Sequence, residues 1–505
     1  MLIDARDLPA GKELQADLCI IGAGAAGITM ARELRESGLD VILLESGGFD
    51  LEPEVTDLYK GRTGGTFLPD DGRYLVTSRL RLFGGTTKTW AGFCVPMDPL
   101  DMEKRDWVPN SGWPFGREQL DPYYRRAAEV CQVKPHEPDL SRWQGTPRAP
   151  LDLGADSGIV TRLVHMSPPT HFGDTYRRDL VEAARVTLCL HASVVDLVPA
   201  AAGGTLGHVV ATSLKNNRFT VKARDFVLAA GGIENPRLLL QSRAVHEQGI
   251  GNDHDLVGRY FMEHPHLHVG FVTFTGPTGP LDLYRQHSHD PLLGHNSLGL
   301  LCPSPALQRR EKILNVSVQL YPAPASRLSE YVRGVGRMAA HTDAGFRRPG
   351  GGGGLVSVNL YARVEPSPDP ASRVTLGSDR DALGQQRVVL DWRLPRLDSD
   401  SLRRTIVAFG RELGRVGKGR LFVRLTDAEP WPSGSLGGDH HMGTTRMSQD
   451  ATRGVVDADC RVHGLDNLFV AGSSVYPSAG FANPTLTIVA LALRLADHHR
   501  TRLAA

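Results

Sequence analysis

Three patterns of apolar and polar positions divide the chain. Near the start, residues 16–22 (Ala-Asp-Leu-Cys-Ile-Ile-Gly) form a short apolar run, which is how a strand covered on both faces of a parallel sheet reads. Residues 25–37 then carry helical spacing and stop at Gly38, and a second apolar run, 41–44, ends at Glu45. Strand, helix and strand in this order and length predict a βαβ unit. Residues 50–175 are rich in Gly, Pro, Trp and Arg and show little periodicity, so they are expected to wrap over a site. Short strands are predicted at 186–190, 194–197, 209–213 and 219–221, and another at 225–230 that runs into Gly231-Gly232 and a helix over 236–242. Period-two alternation at 268–274, 316–320, 356–360 and 387–392, with a helix near 399–415, predicts an antiparallel sheet with helices on one face. Five consecutive glycines, Gly350 to Gly354, read as a surface linker loop rather than a lid. Residues 468–472 are a last buried strand, and an apolar helix follows Pro484.

The fold class expected is α/β (α+β overall). A discontinuous Rossmann-like domain takes 1–60, 176–265 and 430–505, and a second domain with an antiparallel sheet flanked by helices takes 61–175 and 266–429. No apolar segment reaches the roughly 18 residues of a membrane span, because the nearest candidate, 486–496, carries Arg494. A formal net charge of +1, with scattered basic residues, gives no reason to expect nucleic acid or an anionic membrane surface. The start of the chain lacks a basic region followed by an apolar stretch, and the six cysteines are far apart in sequence. Both features lead to the expectation of a cytoplasmic protein with reduced thiols.

Gly22-Ala23-Gly24-Ala25-Ala26-Gly27 sits where the first strand turns into the helix. In such a fingerprint Gly22 allows the tight turn, Gly24 lets the backbone approach a pyrophosphate, and Gly27 allows close helix–sheet packing. Glu45 stands where it would accept hydrogen bonds from a ribose diol, and its charge argues against a 2′-phosphate. Only one fingerprint exists, but two further strands end in small residues, Ala229-Ala230-Gly231-Gly232 and Ala471-Gly472-Ser473-Ser474. A large dinucleotide lying across several strand ends, FAD rather than NAD, accounts for both. The stretch Phe83-Gly84-Gly85-Thr86-Thr87-Lys88-Thr89-Trp90 offers another backbone loop able to face a flat ring system.

These residues resemble the glucose–methanol–choline (GMC) family of flavoenzymes over nearly the whole chain. The resemblance rests on the fingerprint with Glu45, on Gly84-Gly85-Thr86-Thr87, and on Gly231-Gly232-Ile233-Glu234-Asn235-Pro236. It extends to Gly258-Arg259-Tyr260-Phe261-Met262-Glu263-His264-Pro265, and to two C-terminal segments, His440-His441-Met442-Gly443-Thr444-Thr445-Arg446-Met447 and Ala482-Asn483-Pro484-Thr485. The segments 107–114 and 122–124 are also similar to bacterial members acting on sugars and glycosides. The resemblance implies FAD contacts at Gly22, Gly24, Ala26, Gly27, Glu45, Gly84, Gly85, Thr86, Trp90, Ala91, Val194, Ala230, Gly231, Gly472, Ser473, Asn483, Pro484 and Thr485. Thr89 occupies the place where some relatives carry a flavin-linked His, so noncovalent FAD is expected. Gly472-Ser473 departs from the family's frequent Gly-Asp.

The resemblance also implies His440 as the base that takes a hydroxyl proton, Asn483 as the amide that holds the substrate oxygen, and hydride transfer to flavin N5. Helix amides after Asn483 would stabilise charge on reduced flavin. His441 is assigned to structure. The alternation His264-x-His266-x-His268 resembles some metal sites, but no carboxylate or cysteine cluster accompanies it, so no metal is expected. The expected function is oxidation of a small-molecule alcohol (sugar, glycoside or polyhydroxylated natural product) to a carbonyl, with oxygen or an external acceptor taking the electrons. Two alternatives remain: a lyase or decarboxylase that uses flavin without net redox, and the catalytic subunit of a multi-subunit sugar dehydrogenase.

Overall fold

The computed structural model describes residues 1–65, 71–136, 139–201, 203–275, 281–286, 288–322, 356–426, 431 and 435–504; the Gly350–Gly354 loop lies outside them. The apolar run near the start becomes the strand Glu13–Ile21, central in an eight-stranded sheet. It pairs in parallel with Val41–Leu44 on one side and with Arg218–Leu228 on the other, Ile20 lying between Leu43 and Val227. Leu468–Val470 adds to Arg218–Leu228 in parallel, so the C-terminal strand returns to the fingerprint sheet. Ser193–Pro199 and Leu206–Thr212 extend the sheet as an antiparallel pair. Helices Ala25–Leu34 and Thr485–Ala504 pack together on it, and their apolar faces enter the largest core cluster.

Two expected strands, 219–221 and 225–230, are one eleven-residue strand, Arg218–Leu228. Polar Lys222, Arg224 and Asp225 masked its continuity. The helix expected at 236–242 begins five residues earlier, at Gly231, and carries Pro236 inside it. Proline cannot donate to the carbonyl four residues back. That carbonyl, Gly232 O, instead accepts from Thr444 Oγ1 at 2.6 Å, which ties the helix to the His440 segment.

A second, nine-stranded sheet is antiparallel along its main path, with Pro265–Phe274, Val356–Val364, Val316–Pro322 and His295–Pro303 side by side and Ile159–Met166 beyond them. Helix Arg396–Arg415 packs on it through Leu402, Ile406, Phe409 and Leu413. The strand expected at 387–392 does not belong to this sheet. Gln386–Trp392 lies in a separate three-stranded sheet, antiparallel to Arg373–Arg380 and parallel to Arg62–Gly65. The segment of low periodicity divides between cores: Trp113, Phe115, Tyr124 and Ala127 join the nucleotide-side core, and Trp143 joins the second sheet's core. Among the described residues no helix is long and apolar enough to cross a membrane.

Candidate active site

One cavity of about 760 Å³ opens along the ends of the parallel strands and reaches the second sheet. Gly22, Gly24 and Ala26 line it at one end, His440 and Asn483 at the other, and Glu45, Gly85, Thr86, Trp90, Ala91, Val194, Ala230, Gly231, Gly472, Ser473, Pro484 and Thr485 lie between. Gly27 and Gly84, also expected at the cofactor, do not line it. A Cβ on Gly27 would stand 1.9 Å from Gly22 O, so this glycine serves the packing of helix on turn. Gly84 has φ of 100° and donates its amide to Ala23 O, seating the Gly84-Gly85 loop on the fingerprint.

Gly24 differs from both. Its backbone is in the extended region, open to any residue, and a Cβ there meets nothing within 4 Å. Gly231 and Gly472 likewise face open space. Nothing in the protein requires the missing Cβ at Gly24, and a group lying in the cavity against the backbone does. The residues therefore fit a dinucleotide that crosses these strand ends.

Glu45 faces the cavity but is already engaged: Ala23 N and Gly47 N donate to its two oxygens at 2.9 Å. Burial raises its pKa, against those amides and the Arg81 charge. Sequence reasoning missed the charged shelf beside it. Glu234 accepts from Arg79 at 2.7 Å, Arg81 at 2.8 Å and Arg237 at 3.1 Å. Burial pushes Glu234 up, but the three guanidiniums outweigh it and hold its carboxyl at about 2. The only sequence sign was Glu234 inside a quoted motif; Arg237 is three residues on, but Arg79 and Arg81 lie 155 and 153 residues away.

At the other end, His440 Nδ1 lies 2.8 Å from His264 Nδ1, and His440 Nε2 lies 3.1 Å from Asn483 Nδ2. His264 Nε2 is 2.8 Å from the carbonyl oxygen of Gly480. A carbonyl only accepts, so His264 carries its proton on Nε2 and offers a lone pair at Nδ1. His440 must then donate from Nδ1, which leaves its Nε2 as the acceptor facing the Asn483 amide. Both rings are neutral. Burial lowers His264 to about 4, and it lowers His440 well below its ordinary value, helped by repulsion from His264, His266 and Arg363.

The loop that carries His440 is anchored from below. Glu263, fully buried, accepts from His440 N at 2.9 Å, Gly438 N at 3.0 Å and the Tyr74 hydroxyl. Burial raises Glu263 to about 8, against the Tyr74 hydroxyl and the backbone amides, which favour its carboxylate. His441 turns away from His440 and pairs its Nε2 with Tyr74 Oη at 3.0 Å. Ser473 Oγ donates to His441 O at 2.6 Å, so its hydroxyl braces the His440 segment. Trp90 Nε1 donates to Thr170 O at 3.0 Å, which fixes the indole in the cavity wall. Among the described residues no group of three His, Cys, Asp or Glu is placed to hold a metal.

Residues 17–280 match the family model for FAD dependent oxidoreductases, and residues 368–492 match that for GMC oxidoreductases. The chain is 26% identical to the 6'''-hydroxyparomomycin C oxidase of Streptomyces lividus, over 97% of this chain and 92% of that protein. It is 25% identical to the fructose dehydrogenase large subunit of Gluconobacter japonicus, over 97% and 98%. In fold it is similar to the pyridoxine 4-oxidase of Mesorbium loti, with a TM-score of 0.58 and 18% identity over 95% of this chain and 98% of that one. With the fingerprint, the glycine-lined cavity and both family models in agreement, the chain belongs to the GMC oxidoreductase family and is an FAD-dependent oxidoreductase acting on CH–OH groups.

Proposed function

We propose that the protein oxidises a hydroxyl of a sugar, glycoside or polyhydroxylated natural product to a carbonyl, with His440 as the base. The observation that carries this reading is the hydrogen-bond chain Gly480 O, His264, His440, Asn483, which leaves the His440 Nε2 lone pair in the cavity that also contains the fingerprint. Bound FAD supplies the acceptor for the hydride that leaves the carbinol carbon. His440 Nε2 takes the hydroxyl proton. Asn483, whose amide cannot act as a base, donates to the substrate oxygen and keeps the C–H bond oriented. The protonated His440 lies between the neutral His264 and Asn483, so the proton must leave again before the next turnover.

FAD would be held by Gly22, Gly24, Ala26 and Glu45 at the fingerprint, by Gly85, Thr86, Trp90 and Ala91 in the loop facing it, and by Asn483, Pro484 and Thr485 at the start of the C-terminal helix. Thr89 in this wall offers no imidazole for a flavin bond, which supports noncovalent attachment; acid precipitation should leave the yellow colour in the supernatant. All six cysteines are buried and unpaired, which supports a reducing compartment such as the cytoplasm. The names of the relatives include both oxidases and dehydrogenases, so hydrogen peroxide formation under air is the measurement that assigns the acceptor.

The test is anaerobic mixing of the holoenzyme with a panel of sugars, glycosides and simple alcohols. A substrate bleaches the flavin absorbance, and His440→Gln slows that reduction by about 100- to 10,000-fold while retaining FAD. Loaded enzyme that no alcohol bleaches, or a Gln variant as fast as the wild type, would overturn the reading.

A further inference from the structure

The described chain buries six arginines, Arg79, Arg105, Arg148, Arg237, Arg363 and Arg446. Four of them meet a carboxylate: Arg79 and Arg237 reach Glu234 and Asp381, Arg105 reaches Glu365, and Arg148 lies 3.3 Å from Asp290. Arg446 lies away from the cavity, over the Tyr260 ring, and donates to Asn110 O at 2.6 Å. Arg363 is different. It is 7% exposed, lines the cavity near His440 and has no carboxylate in ion-pair range among the described residues. Its Nη2 donates to Gln319 Oε1 at 2.9 Å, and Gln319 Nε2 in turn donates to Gln286, so its polar support is neutral. Its Nη1 is buried without a hydrogen-bond partner among the described residues. The nearest carboxylate in sequence, Glu365, is occupied by Arg105 and by the amide of Asn315 at 2.8 Å.

An uncompensated buried guanidinium is costly, and chains rarely keep one without an anion to meet it. FAD phosphates are a poor candidate, because the fingerprint lies at the other end of the cavity. Arg363 stands on Val356–Val364, in the second sheet, among His266, Tyr361 and Phe93, the last two rings lying 5.4 and 5.1 Å from its guanidinium carbon. We propose that Arg363 is an anion subsite for the substrate, and that the substrate class is a polyhydroxylated compound bearing a carboxylate, such as a sugar acid. In that pose the carboxylate meets Nη1 of Arg363 while the reacting hydroxyl meets His440 and Asn483. The neutral amides of Gln319 and Gln286 hold the guanidinium in place without neutralising it, which leaves its charge for the ligand.

This inference rests on the alcohol-oxidation reading, and the experiment separates the two. Holoenzyme is mixed anaerobically with matched pairs, glucuronate against glucose and galacturonate against galactose. Acetate, which carries no oxidisable hydroxyl, is titrated separately while the flavin spectrum is followed. The expected result is a dissociation constant at least about tenfold lower for each acid than for its neutral partner, as a buried charge pair supports. In Arg363→Gln that ratio should fall towards one and acetate binding should weaken to the same degree, with partial recovery in Arg363→Lys. Equal affinity for acid and neutral sugars in the wild type overturns the subsite, and so does an Arg363→Gln variant that keeps the acid preference. Acetate binding that depends on Arg363, in an enzyme that no alcohol reduces, would leave the subsite standing and remove the alcohol reading instead.

Discussion

In the proposed mechanism His264 does not touch the reacting hydroxyl, yet the tautomer of His440 depends on it. Replacing it by leucine leaves the His440 Nδ1–H, now 2.8 Å from a nitrogen acceptor, without a partner in a buried site. An unsatisfied buried donor costs about 1–3 kcal/mol, and each 1.4 kcal/mol is about tenfold in an equilibrium. His440 would escape that cost by moving its proton to Nε2, the atom that has to accept one. The limiting rate of flavin reduction should therefore fall about 10- to 100-fold in His264→Leu. His264→Asn should recover most of it, because the carboxamide oxygen occupies nearly the place of Nδ1 and accepts the same bond. Stopped-flow reduction gives the rate and the substrate dissociation constant separately, and only the rate should move. The wild-type rate should also stay level as pH falls through about 6.5, the ordinary imidazole value. The sign follows from the direction of the shift: a lowered pKa in the folded protein keeps His440 neutral, and able to accept, below that pH. A leucine variant as fast as the wild type, or an asparagine variant as slow as leucine, would refute the reasoning.

Two further substitutions test the remaining parts of the frame. Gly24→Val should fold with unchanged apo-protein stability but lose FAD, since its Cβ enters only the cavity, whereas Gly27→Ala should lose both, since its Cβ collides with Gly22 O. Flavin content and thermal melting of the apo-proteins distinguish them, and a yellow Gly24→Val protein would count against the placement of the cofactor. Glu234→Gln leaves the guanidiniums of Arg79, Arg81 and Arg237, two of them buried, sharing one fewer carboxylate and should lower the unfolding free energy by about 3–5 kcal/mol. A urea midpoint equal to the wild type's would show that the shelf is not held by this charge.

The sequence by itself determined the fingerprint unit. The apolar run 16–22, the helix that follows and 41–44 are adjacent in the chain, so their periodicity and glycine spacing suffice to predict a local βαβ structure, and the structure forms it. The antiparallel character of the second sheet was equally legible, because period-two alternation reports which face of a strand is buried. Strand membership was not. Gln386–Trp392 alternates like its neighbours but pairs elsewhere, and pairing partners are a matter of long-range register that no local pattern carries. The helix around Pro236 was shortened in the sequence reading for a related reason: the hydroxyl that takes the freed Gly232 carbonyl belongs to Thr444.

The candidate site divides along the same line. His440 and Asn483 were legible through motifs, and the fold sets their nitrogens 3.1 Å apart although 43 residues separate them. What only the tertiary structure decided is the state of those groups. His264 became the ring that sets the tautomer, Gly27 and Gly84 became packing positions, and Arg363 became a buried charge with no counter-ion among the described residues. Each of these depends on which atoms surround a side chain once distant strands pack together. A hydrogen bond or a desolvated charge is a property of that enclosure, whereas a turn or a helix start is a property of the few residues that make it.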